Sequence, residues 1–142
     1  MTQRSDHDRT RRRHVFTVHQ ITLTDAEVAI INREGHDAVP KQIARLDVST
    51  PGGNPGEAAG LAWLAGHYNE VAKIVASGLE DVFEIGNCGP DVFSIGNGHG
   101  PQTSIARSAP MHSVSVGDIV EGPGNELNVV ASFGFKPVLR AV

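Results

Sequence analysis

Residues 111–135 read MHSVSVGDIVEGPGNELNVVASFGF. Val114, Val116 and Val120 alternate with Ser113, Ser115 and Gly117, which predicts a half-buried strand over 113–120. The following EGPGNE, 121–126, gathers the residue types that turn a chain. LNVVASF, 127–133, then returns with Leu127, Val129, Ala131 and Phe133 on one face. The two runs predict an antiparallel hairpin. Phe133 and Phe135 are two apart, share a face and are expected to be buried. Gly117 lets the backbone bend or bulge, and Asp118 can cap a turn or accept from nearby amides. His112, directly before the first run, is the best-placed imidazole for a functional role, against the commoner role of a hydrogen-bonded structural group.

Upstream, residues 67–76 (HYNEVAKIVA) fit both helical and strand spacing. Ser77 and Glu80 have the spacing of a capping box, so a helix is predicted over 78–86, with Leu79, Val82 and Phe83 inward. A helix starting there makes 68–76 a strand. Nearer the N-terminus, VFTVHQITL, 15–23, is β-branched and mostly alternating, hence a strand. Thr24 and Glu27 form a second capping box, and Leu23 and Val28 occupy the positions of a hydrophobic staple around it. The helix that follows presents Val28, Ile30 and Ile31 as its apolar face, and Gly35 can stop it at positive φ. PKQIARLDV, 40–48, makes a short helix opened by Pro40. STPGGNPG, 49–56, is loop, and EAAGLAWLA, 57–65, is a short helix interrupted by Gly60.

Residues 81–90 and 91–100, DVFEIGNCGP and DVFSIGNGHG, match at six of their first seven positions. Two ten-residue copies are too few for a solenoid, so this is a local echo. The first copy finishes a helix. The second lies in a loop that tucks Phe93 and Ile95 against the body, and the Gly- and Pro-rich run continues to Pro110.

The chain has 142 residues, 39% of them apolar, which suits one domain with a modest core. Five Phe, one Trp and one Tyr each mark a packing centre, while 16 Gly and 8 Pro predict much loop. The net charge of −4 is unevenly spread. Residues 1–14 carry five arginines against two aspartates, whereas the remaining 128 residues carry 7 basic and 14 acidic side chains. The first segment reads as a basic, flexible arm with almost nothing apolar to bury. Its Arg9, Arg11, Arg12 and Arg13 are the candidate nucleic-acid contacts. Cys88 is the sole cysteine, so no internal disulfide can form, which fits a reducing cytoplasm. No apolar run is long enough to span a bilayer, and residues 1–14 lack the apolar centre of a signal peptide.

Three stretches carry a resemblance. Leu79–Phe83 (LEDVF), His112–Val120 (HSVSVGDIV) and Val130–Phe135 (VASFGF) are similar, in order and wording, to the YodL-like domain. The similarity covers about residues 68–138, with the Gly-rich insert near 90–108 stretching its spacing. It implies a setting in phages, plasmids and conjugative elements, and action by binding host components. It implies no catalytic, cofactor or metal residues, so the motif positions His112, Ser113, Ser115, Gly117, Asp118, Phe133, Gly134 and Phe135 are candidate interaction residues only.

The chemistry legible elsewhere is thin. Cys88 follows a predicted helix C-terminus, where the dipole opposes a thiolate. The seven histidines include no His-x-x-x-His pair, and there is no Cys-x-x-Cys, so zinc spacings are absent. Gly96-Asn97-Gly98 lacks the strand before and helix after that a phosphate loop needs. Glu80 and Glu84 are one helical turn apart and read as a solvated face.

The expected fold is α+β: a mostly antiparallel sheet of about four strands with two or three flanking helices. The expected function is that of a non-enzymatic accessory protein of a mobile element that binds another protein, with no cofactor. The alternatives are a nucleic-acid-binding module using the arginine arm, a small Cys88/His112 enzyme, and a homo-oligomer formed by pairing uncovered strand edges.

Overall fold

The computed structural model describes residues 13–50, 53–87 and 105–139. Cys88, the second copy of the echo, Phe93 and Ile95, and Arg9, Arg11 and Arg12 lie outside them. The described residues form an α+β fold with six strands: β1 (His14–Gln20), β2 (Asn69–Ala76), β3 (Ile105–Arg107), β4 (Ile119–Glu121), β5 (Leu127–Val130) and β6 (Phe135–Pro137). The four α-helices are α1 (Asp25–Glu34), α2 (Pro40–Ser49), α3 (Pro55–Leu64) and α4 (Leu79–Ile85), and a 3₁₀ turn at His36–Ala38 separates α1 from α2. The sheet order is β3-β2-β1-β4-β5-β6, and every neighbouring pair is antiparallel. The sheet is thus larger than the expected four strands. The two additional strands, β3 and β6, are three residues long, too short to show a period of two in the sequence.

The hairpin forms, with Glu121 paired to Leu127, but its first strand is shorter than the alternation implies. Only Ile119–Glu121 joins the ladder. Before it, the Asp118 amide donates to the Ser115 carbonyl at 3.0 Å, and Gly117 adopts φ +96°, so 115–118 is a turn. Nor are the strands half-buried. Val120 and Val130 enter one core with Phe16, Ile74, Val82 and Ile85. Ile119, Leu127 and Val129 enter a second core with Val48, Ala59 and Ala62. Successive residues of a strand point to opposite faces. The runs Ile119-Val120 and Val129-Val130 therefore serve a sheet covered on both sides, by α4 on one and by α2 and α3 on the other.

The closing turn overturns a further expectation. The Ala131 amide donates to the Gly134 carbonyl at 2.9 Å, and Gly134 sits at φ +74°, so the strand reverses before Phe133. Phe133 stands at the tip, 90% exposed, while Phe135 is half-buried against the first core. The expected shared buried face of the two rings does not exist, because a turn rather than a strand separates them. Val116 is likewise exposed, outside the ladder.

Helix boundaries agree closely with the sequence, while burial differs in α1 and α4, capping in α4, and continuity in α3. The Thr24–Glu27 capping box is complete, and Gly35 ends α1 at φ +98°. Yet α1 buries no residue, and Val28 is exposed. The helix is tied down instead by Lys41, whose Nζ donates to the Thr22 carbonyl and to Glu27 Oε1, both at 2.9 Å. At α4 the cap is not Ser77 with Glu80. Gly78 is the N-cap without a side-chain bond, and Asp81 Oδ2 accepts from the Ser77 amide at 2.9 Å. Val82 is buried but Phe83 is exposed. In α3, Gly60 does not interrupt the helix. It brings the helix backbone against residues 137–139, where the Leu139 amide donates to the Gly56 carbonyl at 3.0 Å.

Candidate functional site

The 115–118 turn, the chain before it and α2 enclose a cleft of about 380 Å³. Its polar lining is Gln42, Arg45 and Ser49 from α2, with His112, Ser115 and Asp118 opposite. Ile21 and Val48 give it apolar wall.

Asp118 is only 4% exposed. Its Oδ2 accepts from the Ser115 amide and from Gln20 Nε2, each at 2.9 Å. Burial pushes its carboxyl up to about 6, against the opposing pull of the Ser115 amide, His112, Gln20 and Arg45.

Gln20, at the end of β1 and fully buried, is the organising residue. Its Nε2 also donates to the His112 carbonyl at 3.0 Å, and its Oε1 accepts from the His112 amide at 3.2 Å. One amide thus fixes the backbone of His112 and the carboxylate of Asp118 to the central strand. The His112 ring contacts the Ser113 carbonyl through Nδ1 at 2.8 Å. Gln20 Nε2 also lies 3.1 Å from Nδ1, so this ring nitrogen sits between a carbonyl acceptor and an amide N–H donor. His112 Nδ1 is 4.0 Å from Asp118 Oδ2, too long for a hydrogen bond.

Tyr68 supports the turn from the second core. Its hydroxyl donates to the Gly117 carbonyl at 2.6 Å. Burial, with the Asp118 charge second, pushes the phenol upward and keeps it a neutral donor. Gly117 is needed twice over: at φ +96° an L side chain is strained, and a Cβ would lie 2.7 Å from Val48 Cγ2.

A second, smaller cavity of about 190 Å³ shares Val48 and Val116 with the first. Pro55, Ala131 and Phe133 extend its apolar rim, and Thr50, Ser132 and Lys136 give it polar lining.

Of the motif residues, His112, Ser115, Gly117 and Asp118 meet at the first cleft, and Phe133 borders the second. Ser113 contributes its carbonyl to the His112 ring. A Cβ at Gly134 would meet nothing, and Phe135 belongs to the opposite core. Arg13 is exposed at the start of β1. Gln20, Gln42, Arg45 and Tyr68 are the site residues that sequence reasoning missed. Nothing in the local sequence marks them, because their partners lie up to 98 residues away.

Among the described residues no group of three or more His, Cys, Asp or Glu is placed to hold a metal ion, and no helix is long and apolar enough to cross a membrane. No family model, no curated protein and no solved structure matches the chain.

Proposed function

We propose that this chain is a non-enzymatic accessory protein of a mobile genetic element that acts by binding another protein, with Phe133 as its anchor. The observation that carries this reading is the exposure of Phe133. A phenylalanine 90% exposed on a tight turn contributes little to its own fold. Burying such a ring in a partner's apolar pocket is worth about 1.5–3 kcal/mol. Centrally placed aromatics of this kind dominate binding at interfaces. The neighbouring cavity, with Val116 and Pro55 on its rim, extends the contact, and Lys136 supplies a charge beside it. The wording shared with the YodL-like domain supports the mobile-element setting, since Phe133 falls within its closing motif. Both sheet edges favour a different partner over a second copy. Strands β3 and β6 have three residues each, and Lys136 and Pro137 blunt β6.

The test compares the wild-type chain with Phe133→Ala by quantitative affinity capture from a host lysate, followed by titration of the purified partner. The substitution is expected to leave stability within about 0.5 kcal/mol and to abolish capture of a specific protein. Recovery of the same partners by both proteins refutes the reading, as does a shift of the wild-type mass to a dimer that Phe133→Ala returns to monomer.

A further inference from the structure

We propose that the cleft between α2 and the 115–118 turn is a binding site for a free α-amino acid, held by its carboxylate at Arg45 and by its ammonium group at Gln42 and Asp118. The inference is independent of the Phe133 reading, since it concerns the other cavity and a small ligand.

One buried acceptor among the residues lining this cleft has nothing to accept from. Gln42 is 6% exposed, its Nε2 contacts His36 Nδ1 at 3.1 Å, and its Oε1 has no partner. Asp118, also in the lining, takes both of its described hydrogen bonds on Oδ2, which leaves Oδ1 as a further carboxylate acceptor. Buried polar atoms are nearly always paired, and an orphan costs the fold. Turning the Gln42 amide over would exchange an orphan oxygen for an orphan N–H and leave Asp118 as it is. An orphan amide oxygen and a carboxylate lining one cleft suit a cationic group with several N–H donors. An ammonium group has three.

The opposite requirement comes from Arg45. It lines the same cleft, and its charge is close enough to act on Asp118. Its guanidinium is built to take a carboxylate through paired N–H groups. Ser49 and Ser115 bring hydroxyls to the same lining. A ligand that is cationic at one end and anionic at the other satisfies both requirements. The cavity of about 380 Å³ falls at the lower end of the range for small-molecule sites. An α-amino acid is the smallest common molecule with this pattern.

The experiment titrates the full chain with each of the twenty amino acids by calorimetry and by amide-shift NMR. At least one amino acid is expected to bind. Its N-acetyl derivative, which loses the ammonium, and its C-terminal amide, which loses the carboxylate, should each bind at least about tenfold more weakly. Arg45→Gln should weaken binding by a similar factor, while Arg33→Gln, a charge-matched change on exposed α1, should leave it unchanged. Gln42→Met carries the sharpest signature. It removes the orphan, so the free protein becomes more stable while ligand affinity falls. A purely structural Gln42 would instead lose stability and leave affinity alone. No binding by any amino acid at about 10 mM, or equal binding of the blocked derivatives, overturns the proposal.

Discussion

Asp118→Asn isolates the buried carboxyl of the cleft. The side chain is 4% exposed and its carboxyl is pushed from 3.8 to about 6, chiefly by burial. A carboxyl that rises on folding binds its proton more tightly in the folded chain. Its contribution therefore favours folding as pH falls, and the ionised form costs the fold about 3 kcal/mol once pH exceeds 6. Between about pH 7.5 and 4.5, roughly 2 kcal/mol of that cost should disappear in the wild type. Asparagine keeps an oxygen with two lone pairs, enough to accept from the Ser115 amide and Gln20 Nε2, and it does not titrate. Other carboxylates work in the opposite sense. Glu27, held low by the Thr24 amide and Lys41, loses its contribution as pH falls. Glu27 is present in both proteins, so the difference between them cancels it. Urea denaturation at stepped pH gives that difference directly. Above pH 7 the variant should be the more stable protein, with the wild type regaining about 2 kcal/mol on it by pH 4.5. A difference that is flat with pH, or that grows toward alkaline pH in favour of the wild type, would refute the argument that desolvation dominates at Asp118.

Two other substitutions test the frame around the site. Gly60→Ala places a Cβ into the Leu139 carbonyl. The clash should cost about 1–3 kcal/mol, partly offset by about 1 kcal/mol of better helix propensity, and a lower urea midpoint measures the balance. Tyr68→Phe removes the 2.6 Å bond to the Gly117 carbonyl and should cost about 1–2 kcal/mol in thermal melts without changing the α-helical signal.

What the sequence revealed follows from how local each cause is. The Thr24–Glu27 box spans four residues and is complete in the structure, and Gly35 ends α1 at positive φ, so these ends were readable. β2 was also readable, because a predicted helix start at 78 left 69–76 little choice. Burial was another matter. The apolar residues of α1 looked like a core face, but none of them is fully buried. Phe133 looked like a strand residue because alternation continues through Ala131, whereas the ladder ends at Val130 and the 131–134 turn, with Gly134 at φ +74°, reverses the chain. Gln20 and Gln42 were invisible for a different reason. Glutamine is usually exposed, and Gln20 is buried only because His112 and Asp118, more than 90 residues away, accept and donate to its amide.

The titration of Asp118 and the proposed ligand are linked, which gives a consequence that neither has alone. Asp118 faces Gln20 from β1, the Ser115 amide and His112 from its own loop, and Arg45 from α2. Burial raises its carboxyl to about 6 against the pull of these groups. An ammonium group docked on Oδ1 adds a cation beside the carboxylate and must draw it downward. By linkage, a ligand that prefers the ionised form binds more tightly where that form prevails. The amino acid should therefore raise the melting temperature more at pH 7.5 than at pH 4.5, and in Asp118→Asn the stabilisation should lose this dependence. A ligand effect equal at both pH values would place the ammonium away from Asp118. A cationic donor that is part of neither α2 nor the turn would pair the Gln42 oxygen and favour the ionised Asp118 at once.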